Sequence, residues 1–293
     1  MTMSFEERLL AFHYVHPRPL NKWKGLLEHD PELKLFQDWS LRKLAFCLNT
    51  QESQAARILQ AYRRAITMPL TASYEKHFIK PISYLHPAYP KSLTELIDPP
   101  IILYAKGKIG LLETKRRIAV IGSRKASSYS MKAIETILPP LVEGGFAIVS
   151  GLAKGADAMA HQQAIDLGGQ TIAVIGSGFL HPYPAVNNAL FKEITESHLC
   201  LTEYPPYVKP EKWHFPMRNR IISGLSEGII VTEAENRSGT MSTIEHALDH
   251  GKEIFAVPGS IFSPLSGGPH KLIEEGAKPV WNGFQVLAEL RVN

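Results

Sequence analysis

Residues 117–161 show the pattern of apolar and polar positions that most of the chain repeats. Two short apolar runs, 118–121 and 147–149, enclose a segment whose apolar positions have helical spacing. Each run ends in small polar residues, Gly122-Ser123 after the first and Ser150-Gly151 after the second. The pattern predicts a strand, a crossover helix and a parallel second strand, which together form a right-handed βαβ unit.

The same alternation continues to the end of the sequence. After a short strand at 101–104, strands are predicted at 118–121, 147–149, 171–175, 199–202, 228–232, 253–257 and 278–280. Helices are predicted at about 129–143, 156–167, 187–197, 217–225, 240–250, 268–275 and 284–290. Pro139 and Pro140 are expected to kink or shorten the first of these helices. The order predicts an α/β fold with an extended, Rossmann-like, doubly wound and mostly parallel sheet.

The first part of the chain has a different pattern. Apolar positions in residues 1–70 recur at three-to-four spacing between proline breaks, which predicts a bundle of roughly four short helices. We interpret its basic side chains as a solvated surface. Residues 71–110 are rich in Pro and Tyr and are predicted to be a connector whose strand packs on the core. Residues 111–293 then form the α/β domain.

The composition restricts the possible partners and the cellular location of the protein. The chain has 44% hydrophobic and 20% charged residues, and 32 basic against 28 acidic residues give a net charge of +4. Because this charge is small, a nucleic-acid partner would need a local basic cluster. Cys47 and Cys200 offer neither a disulfide framework nor zinc spacing. No long apolar run and no signal-peptide pattern is present, so we expect a cytoplasmic protein without a membrane partner.

Small polar residues follow the predicted strands, and in a parallel sheet these positions meet at one edge. The loops are Gly122-Ser123-Arg124, 150–155, 176–178, 203–205, 233–235, 237–240 and 258–260. Loops without bulky side chains expose backbone N–H groups, and Arg124, Lys154 and Arg237 add positive charge. Any one glycine loop could equally be only a tight turn. Several such loops, three with a cation, favour a site for an anionic ligand.

Several catalytic motifs are missing from the sequence. It has no G-x-G-x-x-G after the first strand of the α/β part and no phosphate-binding G-x-x-x-x-G-K-[ST]. We therefore predict no cofactor. Asp157 and His161 lie four residues apart on one helix face and could form an acid–base or ligand pair. With no third partner evident, a structural hydrogen bond near the helix start is favoured and a metal site is not.

Residues 213–225, WHFPMRNRIISGL, are the second informative stretch. A helix is predicted to begin near Met217, which places Arg218-Asn219-Arg220 in its first turn. Cations are disfavoured at a helix N-terminus, so we expect a compensating anion, either Glu203 or Glu233 or a bound phosphate. Residues 218 and 220 point about 200° apart on a helix. One arginine should therefore be paired inside the protein while the other faces a ligand.

An aromatic residue accompanies the cations of this stretch. Lys212 and Phe215 combine positive charge with a ring, which is the composition of a platform for single-stranded nucleic acid. An aromatic at such a position also commonly belongs to the core.

With these motifs the sequence resembles the DNA-processing protein A family (DprA, also called Smf). The resemblance rests on Gly122-Ser123-Arg124, SGLAKGAD at 150–157, HFPMRNRIISGLS at 214–226 and RSGT at 237–240. It covers residues from about 81 to 280 and, through the helical part, the entire chain. It implies a homodimeric binder of single-stranded DNA without sequence preference. Such proteins are not enzymes; they protect incoming strands in natural transformation and load the RecA recombinase onto them for recombination.

The resemblance also implies the site and the nature of the helical part, which would be sterile-alpha-motif-like. Together with the local chemistry it predicts these DNA-binding residues: Gly122, Ser123, Arg124, Ser150, Gly151, Lys154, Lys212, Phe215, Arg218, Asn219, Arg220, Arg237 and Ser238. The sequence departs from the family at 185–188, where a lysine is common, and at Gly268-Pro269-His270, where G-x-N is common. No C-terminal winged-helix domain is expected.

Two other functions compete with this one. Rossmann-like nucleotide phosphoribohydrolases carry P-G-G-x-G-T-x-x-E, in which the glutamate acts at a ribose. Here Glu245 follows Thr240 by five residues and not by three, which shifts it about 200° around a helix. The glutamate should therefore not reach the same place. The other alternative is an interaction scaffold that does not bind DNA.

Overall fold

One mixed sheet organises the protein. The structure, a computed structural model, describes residues 3–236, 239, 243–244, 247–248 and 250–290. Within these residues the strands are β1 (Lys80–Ser83), β2 (Ile102–Gly107), β3 (Arg117–Ile121), β4 (Ala147–Ser150), β5 (Thr171–Val174), β6 (Leu199–Thr202), β7 (Gly228–Val231), β8 (Glu253–Ala256) and β9 (Lys278–Pro279). Their order in the sheet is β1-β2-β6-β5-β4-β3-β7-β8-β9.

The chain winds outward from the centre of the sheet in two directions. It runs from β3 through β4 and β5 to β6, then returns to place β7 on the other side of β3. All pairings from β6 to β9 are parallel, while β1–β2 and β2–β6 are antiparallel. This confirms the predicted doubly wound, mostly parallel sheet. Its carboxyl edge therefore carries the loops after β3, β4, β5 and β7.

The prediction missed β1, which lies inside the expected connector. Its Pro81 made a strand hard to recognise, because proline cannot donate to a ladder. Within the described residues, however, β1 lies at the edge of the sheet and pairs with β2. A missing N–H is tolerated there because it can face away from the neighbouring strand.

Helices cover both faces of the sheet and form the first part of the chain. They are α1 (Phe5–Val15), α2 (Lys24–His29), α3 (Leu41–Cys47), α4 (Glu52–Ala65), α5 (Leu70–Lys76), α6 (Ser128–Glu143), α7 (Ala156–Asp166), α8 (Asn188–Ser197), α9 (His214–Leu225), α10 (Gly267–Glu274) and α11 (Gly283–Leu290). The predicted helix at 240–250 falls mostly outside the described residues. No helix among those described is long and apolar enough to cross a membrane.

The expected shortening of α6 by its two prolines does not occur. The helix begins after Ser127, whose hydroxyl accepts a hydrogen bond of 3.1 Å from the N–H of Tyr129, and it continues to Glu143. Proline lacks a donor but keeps its acceptor. The carbonyl of Pro140 accepts a 2.9 Å bond from the N–H of Gly144, so the helix ends in ordinary fashion beyond both prolines.

Separate hydrophobic clusters cover the two faces, because alternate strand residues point to opposite sides. In β3, Ile121 belongs to the cluster against α9 and α10, whereas Val120 belongs to the cluster under α6, α7 and α11. A third cluster lies over β2, β5 and β6, on the same face of the sheet as Val120. It includes the fully buried Cys200, which packs there as a small hydrophobe.

The third cluster continues without interruption into helices α1–α5. Phe12, Trp23 and Tyr62 of the helical part share it with Tyr104 of β2. Nδ1 of His13 lies 3.0 Å from the hydroxyl of Tyr104, which adds a buried polar contact between the helices and the sheet. The helical part therefore shares its core with one half of the sheet. The domain limits at residues 70 and 110 stay a prediction.

Candidate nucleic-acid interface

Three basic side chains from separate parts of the chain meet beyond the carboxyl ends of β3 and β4. Arg124 comes from the loop after β3, Lys154 from the loop after β4 and Arg218 from α9. They line a pocket of about 40 Å³. Its complete lining is Arg124, Gly151, Ala153, Lys154, Tyr183, Pro184, Phe215 and Arg218. Of the three cations predicted in the strand-end loops, the structure brings Arg124 and Lys154 together, and Arg237 lies outside the described residues.

The turn after β3 requires a glycine and fixes its surroundings. A Cβ at Gly122 would lie 2.6 Å from Oγ1 of Thr232 and 2.7 Å from Cβ of Ala156. The N–H of Ser123 donates a 2.6 Å hydrogen bond to the carbonyl of Glu233. These contacts join the turn to the residues after β7 and to α7. Arg124 then projects outward with its Cζ 5.3 Å from the ring centroid of Phe215, in cation–π range.

The loop after β4 has an unusual backbone that neighbouring side chains hold. Leu152 has a φ of 56°, a left-handed conformation that is uncommon for residues other than glycine. Nδ2 of Asn187 donates hydrogen bonds of 2.9 Å and 3.1 Å to the carbonyls of Leu152 and Ala153. Oδ2 of Asp157 accepts from the N–H groups of Gly151 and Ala153 at 3.1 Å and 3.3 Å. The exposed Lys154 thus extends from a restrained loop.

Asp157 and His161 are structural, as the sequence favoured. Asp157 holds the loop after β4, and burial raises the pKa of its carboxyl while the Arg218 charge acts in the opposite direction. His161 is fully buried with Nδ1 2.6 Å from Oγ1 of Thr171. Burial, with a smaller contribution from Arg218, lowers the pKa of His161 to about 3. Among the described residues, no group of three His, Cys, Asp or Glu could hold a metal ion.

Helix α9 begins at His214, three residues before the predicted start. The prediction was wrong because Pro216 does not end the preceding segment but lies in the first turn of the helix. Proline is tolerated in the first turn of a helix, where its missing N–H would have no partner. Arg218 and Arg220 therefore lie in the second turn. The expected conflict between these cations and the helix N-terminus is absent.

The two arginines of α9 have different surroundings, as their angular separation predicted. Arg220 is buried and forms a bidentate pair with Glu203, at 2.9 Å to Oε1 and 2.7 Å to Oε2. Burial alone would disfavour the charged form, but Glu203 outweighs it and raises the pKa of Arg220. Arg218 instead lines the pocket and donates to the carbonyls of Gly151 and Val174. Burial lowers its pKa to about 10, with Asp157 acting against this.

The remaining predicted residues lie in varied positions. Ser150 is fully buried and its hydroxyl donates to the carbonyl of Val120 at 2.7 Å, so the side chain faces the sheet and not the pocket. Asn219 is buried, with Oδ1 3.1 Å from Nε of Arg218. Lys212 is exposed but does not line the pocket. Arg237 and Ser238 lie outside the described residues, as does Glu245.

The prediction also missed residues that complete the pocket. Tyr183 and Pro184 line the side formed by the loop after β5, and the ring of Tyr183 lies 5.6 Å from that of Phe215. This Tyr-Pro pair is not among the predicted site residues. It stands just before 185–188, where the lysine common in the family is absent. A second aromatic ring thus occupies this side of the pocket.

Comparisons with known proteins identify the family. Residues 80–291 match the family model described as DNA recombination-mediator protein A. The chain belongs to this family, the DprA family that its motifs resemble. It is 45% identical to the DNA processing protein DprA of Bacillus subtilis over 219 residues, which cover 75% of this chain and 74% of that protein. It is 49% identical to DprA of Streptococcus pneumoniae over 207 residues, which cover 71% and 73%.

Solved structures of DprA proteins resemble the whole chain and its α/β part. The X-ray structure of DprA from Streptococcus pneumoniae matches with a TM-score of 0.82 and 38% identity, and it covers 99% of both chains. A structure of the Helicobacter pylori protein, solved to study its single-stranded DNA binding mode, matches with a TM-score of 0.66 and 31% identity. That match covers 72% of this chain and 95% of the other. The helical part is thus included in the first similarity.

Proposed function

We propose that this protein binds single-stranded DNA without sequence preference and protects it. The observation that carries the proposal is the meeting of Arg124, Lys154 and Arg218 in one pocket with the ring of Phe215. Guanidinium and ammonium groups hold phosphates, and an aromatic ring stacks on any base. The pocket therefore combines the two contacts that sequence-independent binding needs.

The charge of the pocket is available to a ligand. Within the described part of the chain, neither Arg124 nor Lys154 forms an ion pair with a carboxylate. Arg218 is held by carbonyl oxygens, which leave its positive charge uncompensated except by the nearby Asp157. An anion entering the pocket would satisfy these groups. Phosphate is the anion that a nucleic-acid strand offers at regular intervals.

The size of the pocket favours an unpaired strand. A volume of about 40 Å³ holds about three water molecules, so the pocket is narrow. The rings of Tyr183 and Phe215 border this space, so a base next to the bound phosphate would meet an aromatic surface. A duplex keeps its bases stacked inside and cannot use these rings. The related Helicobacter pylori protein, studied for its single-stranded DNA binding mode, supports the same assignment.

We further infer that the protein acts as a homodimer that delivers bound strands to the RecA recombinase during natural transformation. The support is the family description, a recombination mediator. The test is RecA filament assembly on single strands coated with single-strand binding protein. Addition of this protein should shorten the lag in RecA ATP hydrolysis, and an unchanged lag would oppose the inference. Light scattering coupled to size exclusion checks the dimer.

Binding itself is tested by fluorescence anisotropy with labelled oligothymidylate and a matched duplex at two salt concentrations. Arg124→Ala should weaken single-strand binding roughly tenfold or more, because a charge-assisted contact is lost. It should also reduce the slope of log affinity against log salt by about 0.7, the value for one phosphate. Lys125→Ala is the matched control, since Lys125 is exposed beside the site but does not line it.

Two results would contradict the proposal. Equal affinity of the wild type for duplex and single strand would show that the rings of Tyr183 and Phe215 do not contribute to binding. An unchanged salt slope in Arg124→Ala would remove Arg124 from the site. Release of free base from a nucleoside monophosphate would instead favour the phosphoribohydrolase alternative.

A further inference from the structure

A second aromatic surface lies at the start of α9, away from the pocket. Trp213 immediately precedes the helix and is 43% exposed. Its indole Nε1 donates a 2.6 Å hydrogen bond to Oε2 of Glu211, and its ring meets that of His214 edge-on at 4.2 Å. These contacts hold the ring in one orientation. An exposed ring that is already ordered loses little conformational entropy when a ligand stacks on it.

The helical part of the protein supplies a cation to this ring. Cζ of Arg18 lies 5.1 Å from the ring centroid of Trp213, within cation–π range. Arg18 is exposed, and within the residues that the structure describes it forms no ion pair with a carboxylate. Nearby, the ring of Tyr207 lies 4.7 Å from that of Tyr14 in α1. The loop before α9 is thus fastened to the helical part at two points.

The surface formed by Arg18 and Trp213 is connected to the pocket through the first turn of α9. Trp213 has helical backbone angles, and Phe215 follows two residues later, so the two rings point about 200° apart around the helix. A helix with its side chains is about 10–12 Å wide. A few nucleotides of an extended strand cross this width. Lys212 is exposed beside the crossing and adds positive charge for the backbone.

We propose that Arg18 and Trp213 form a second base-stacking position for single-stranded DNA that leaves the pocket. The inference rests on the proposed function and adds that the helical part contacts the bound strand directly. A ring with a guanidinium on one face matches the chemistry that stacks bases of any sequence. Only strands long enough to pass the start of α9 reach this position. Affinity should therefore increase at a particular strand length.

The test measures affinity for oligothymidylates of increasing length, from about 4 to about 16 nucleotides. The wild type should show a step in affinity between short and long strands. Trp213→Ala should bind short strands normally and lose the step, with a loss of roughly tenfold on long strands. Trp213→Phe should keep most of the step because a ring remains. Trp281→Ala, which removes another exposed tryptophan, should behave like the wild type.

Other outcomes would overturn the inference. An equal loss on short and long strands would mean that Trp213 supports the fold of α9 and does not contact DNA. An undiminished step in both Trp213→Ala and Arg18→Ala would exclude the second position while leaving the pocket intact. Failure of the wild type to bind any strand would reject the proposed function together with this inference.

Discussion

The guanidinium of Arg218 occupies the space that a side chain at residue 151 would need. A Cβ built on Gly151 would overlap both terminal nitrogens of Arg218. The same guanidinium donates to the carbonyl of Gly151, so the side chain of Arg218 lies directly against the backbone of the loop after β4. The position of the pocket's most buried cation thus depends on a glycine in another element.

Gly151→Ala should therefore displace Arg218 from its carbonyl partners. Lost hydrogen bonds to a charged group cost about 1.5–3 kcal/mol, which we expect in the free energy of unfolding. Single-strand affinity should fall as well, because the cation leaves the pocket. Urea unfolding and anisotropy measure the two effects. Gly110→Ala is the control, because a Cβ at Gly110 meets nothing within 4 Å. The prediction would be contradicted if Gly151→Ala and Gly110→Ala had the same free energy of unfolding and the same single-strand affinity.

Asn187 should act on DNA binding through the loop that it holds. Asn187→Ala removes two hydrogen bonds to the carbonyls of Leu152 and Ala153, and the left-handed turn at Leu152 loses its support. We expect affinity to fall by roughly 3- to 10-fold, since a hydrogen bond is worth about 1 kcal/mol. Anisotropy measures the loss. Asn188→Ala, a change at the adjacent exposed asparagine, should leave affinity unaltered, and a similar loss there would refute the role of Asn187.

The pair of Arg220 and Glu203 should matter for stability and not for binding. Glu203→Ala leaves a buried guanidinium without its carboxylate, which costs about 3–5 kcal/mol. The free energy of unfolding measures this cost. Glu196→Ala breaks the exposed pair with Lys192 and should cost less than about 1 kcal/mol. The salt slope of DNA binding should not change in folded Glu203→Ala. A changed slope would show that the pair takes part in DNA binding.

The buried His13 should make the protein less stable in acid. Burial lowers its pKa to about 3, with His16 adding to the shift. Between pH 6.5 and about 3 the unfolded chain therefore binds a proton at residue 13 that the folded protein does not. As the pH is lowered across this window, the free energy of unfolding decreases by up to about 1.4 kcal/mol per pH unit for this group. The contribution is constant above pH 6.5.

Unfolding by urea at several pH values tests this dependence. His13→Gln should reduce the slope of stability against pH below 6.5, even if its stability at pH 7 is lower. His77→Gln is the control, because His77 is an exposed histidine away from the core. A His13→Gln slope equal to that of the wild type would show that His13 is protonated in the folded protein.

The sequence predicted the sheet and the edge that carries the site, because both follow from short-range patterns. Apolar runs ending in Gly122-Ser123 and Ser150-Gly151 place turns at strand ends, and parallel pairing brings those turns together. The direction in which a side chain points was harder to predict from the sequence. Ser150 was expected at the ligand but belongs to the last position of β4, where its side chain faces inward. One residue of difference in a strand end reverses the side that a side chain faces.

Long-range contacts could not be predicted from the chain. The role of Asn187 depends on carbonyl groups more than thirty residues earlier, and nothing in its own neighbourhood indicates them. The start of α9 was misplaced because Pro216 can either stop one segment or begin the next. The pairing of Arg220 with Glu203 was anticipated only as one of several options, since the helix phase separates the arginines but does not say which is inside.

The cluster shared by helices α1–α5 and the sheet has a consequence for shorter forms of the protein. A fragment starting at Lys80 would contain all the described strands. It would lose the side chains of α1–α5 from the cluster that they share with β2, β5 and β6, which would expose part of that apolar face to water. Exposed patches of this kind promote self-association. Such a fragment would need another protein surface at that location to stay dispersed in solution.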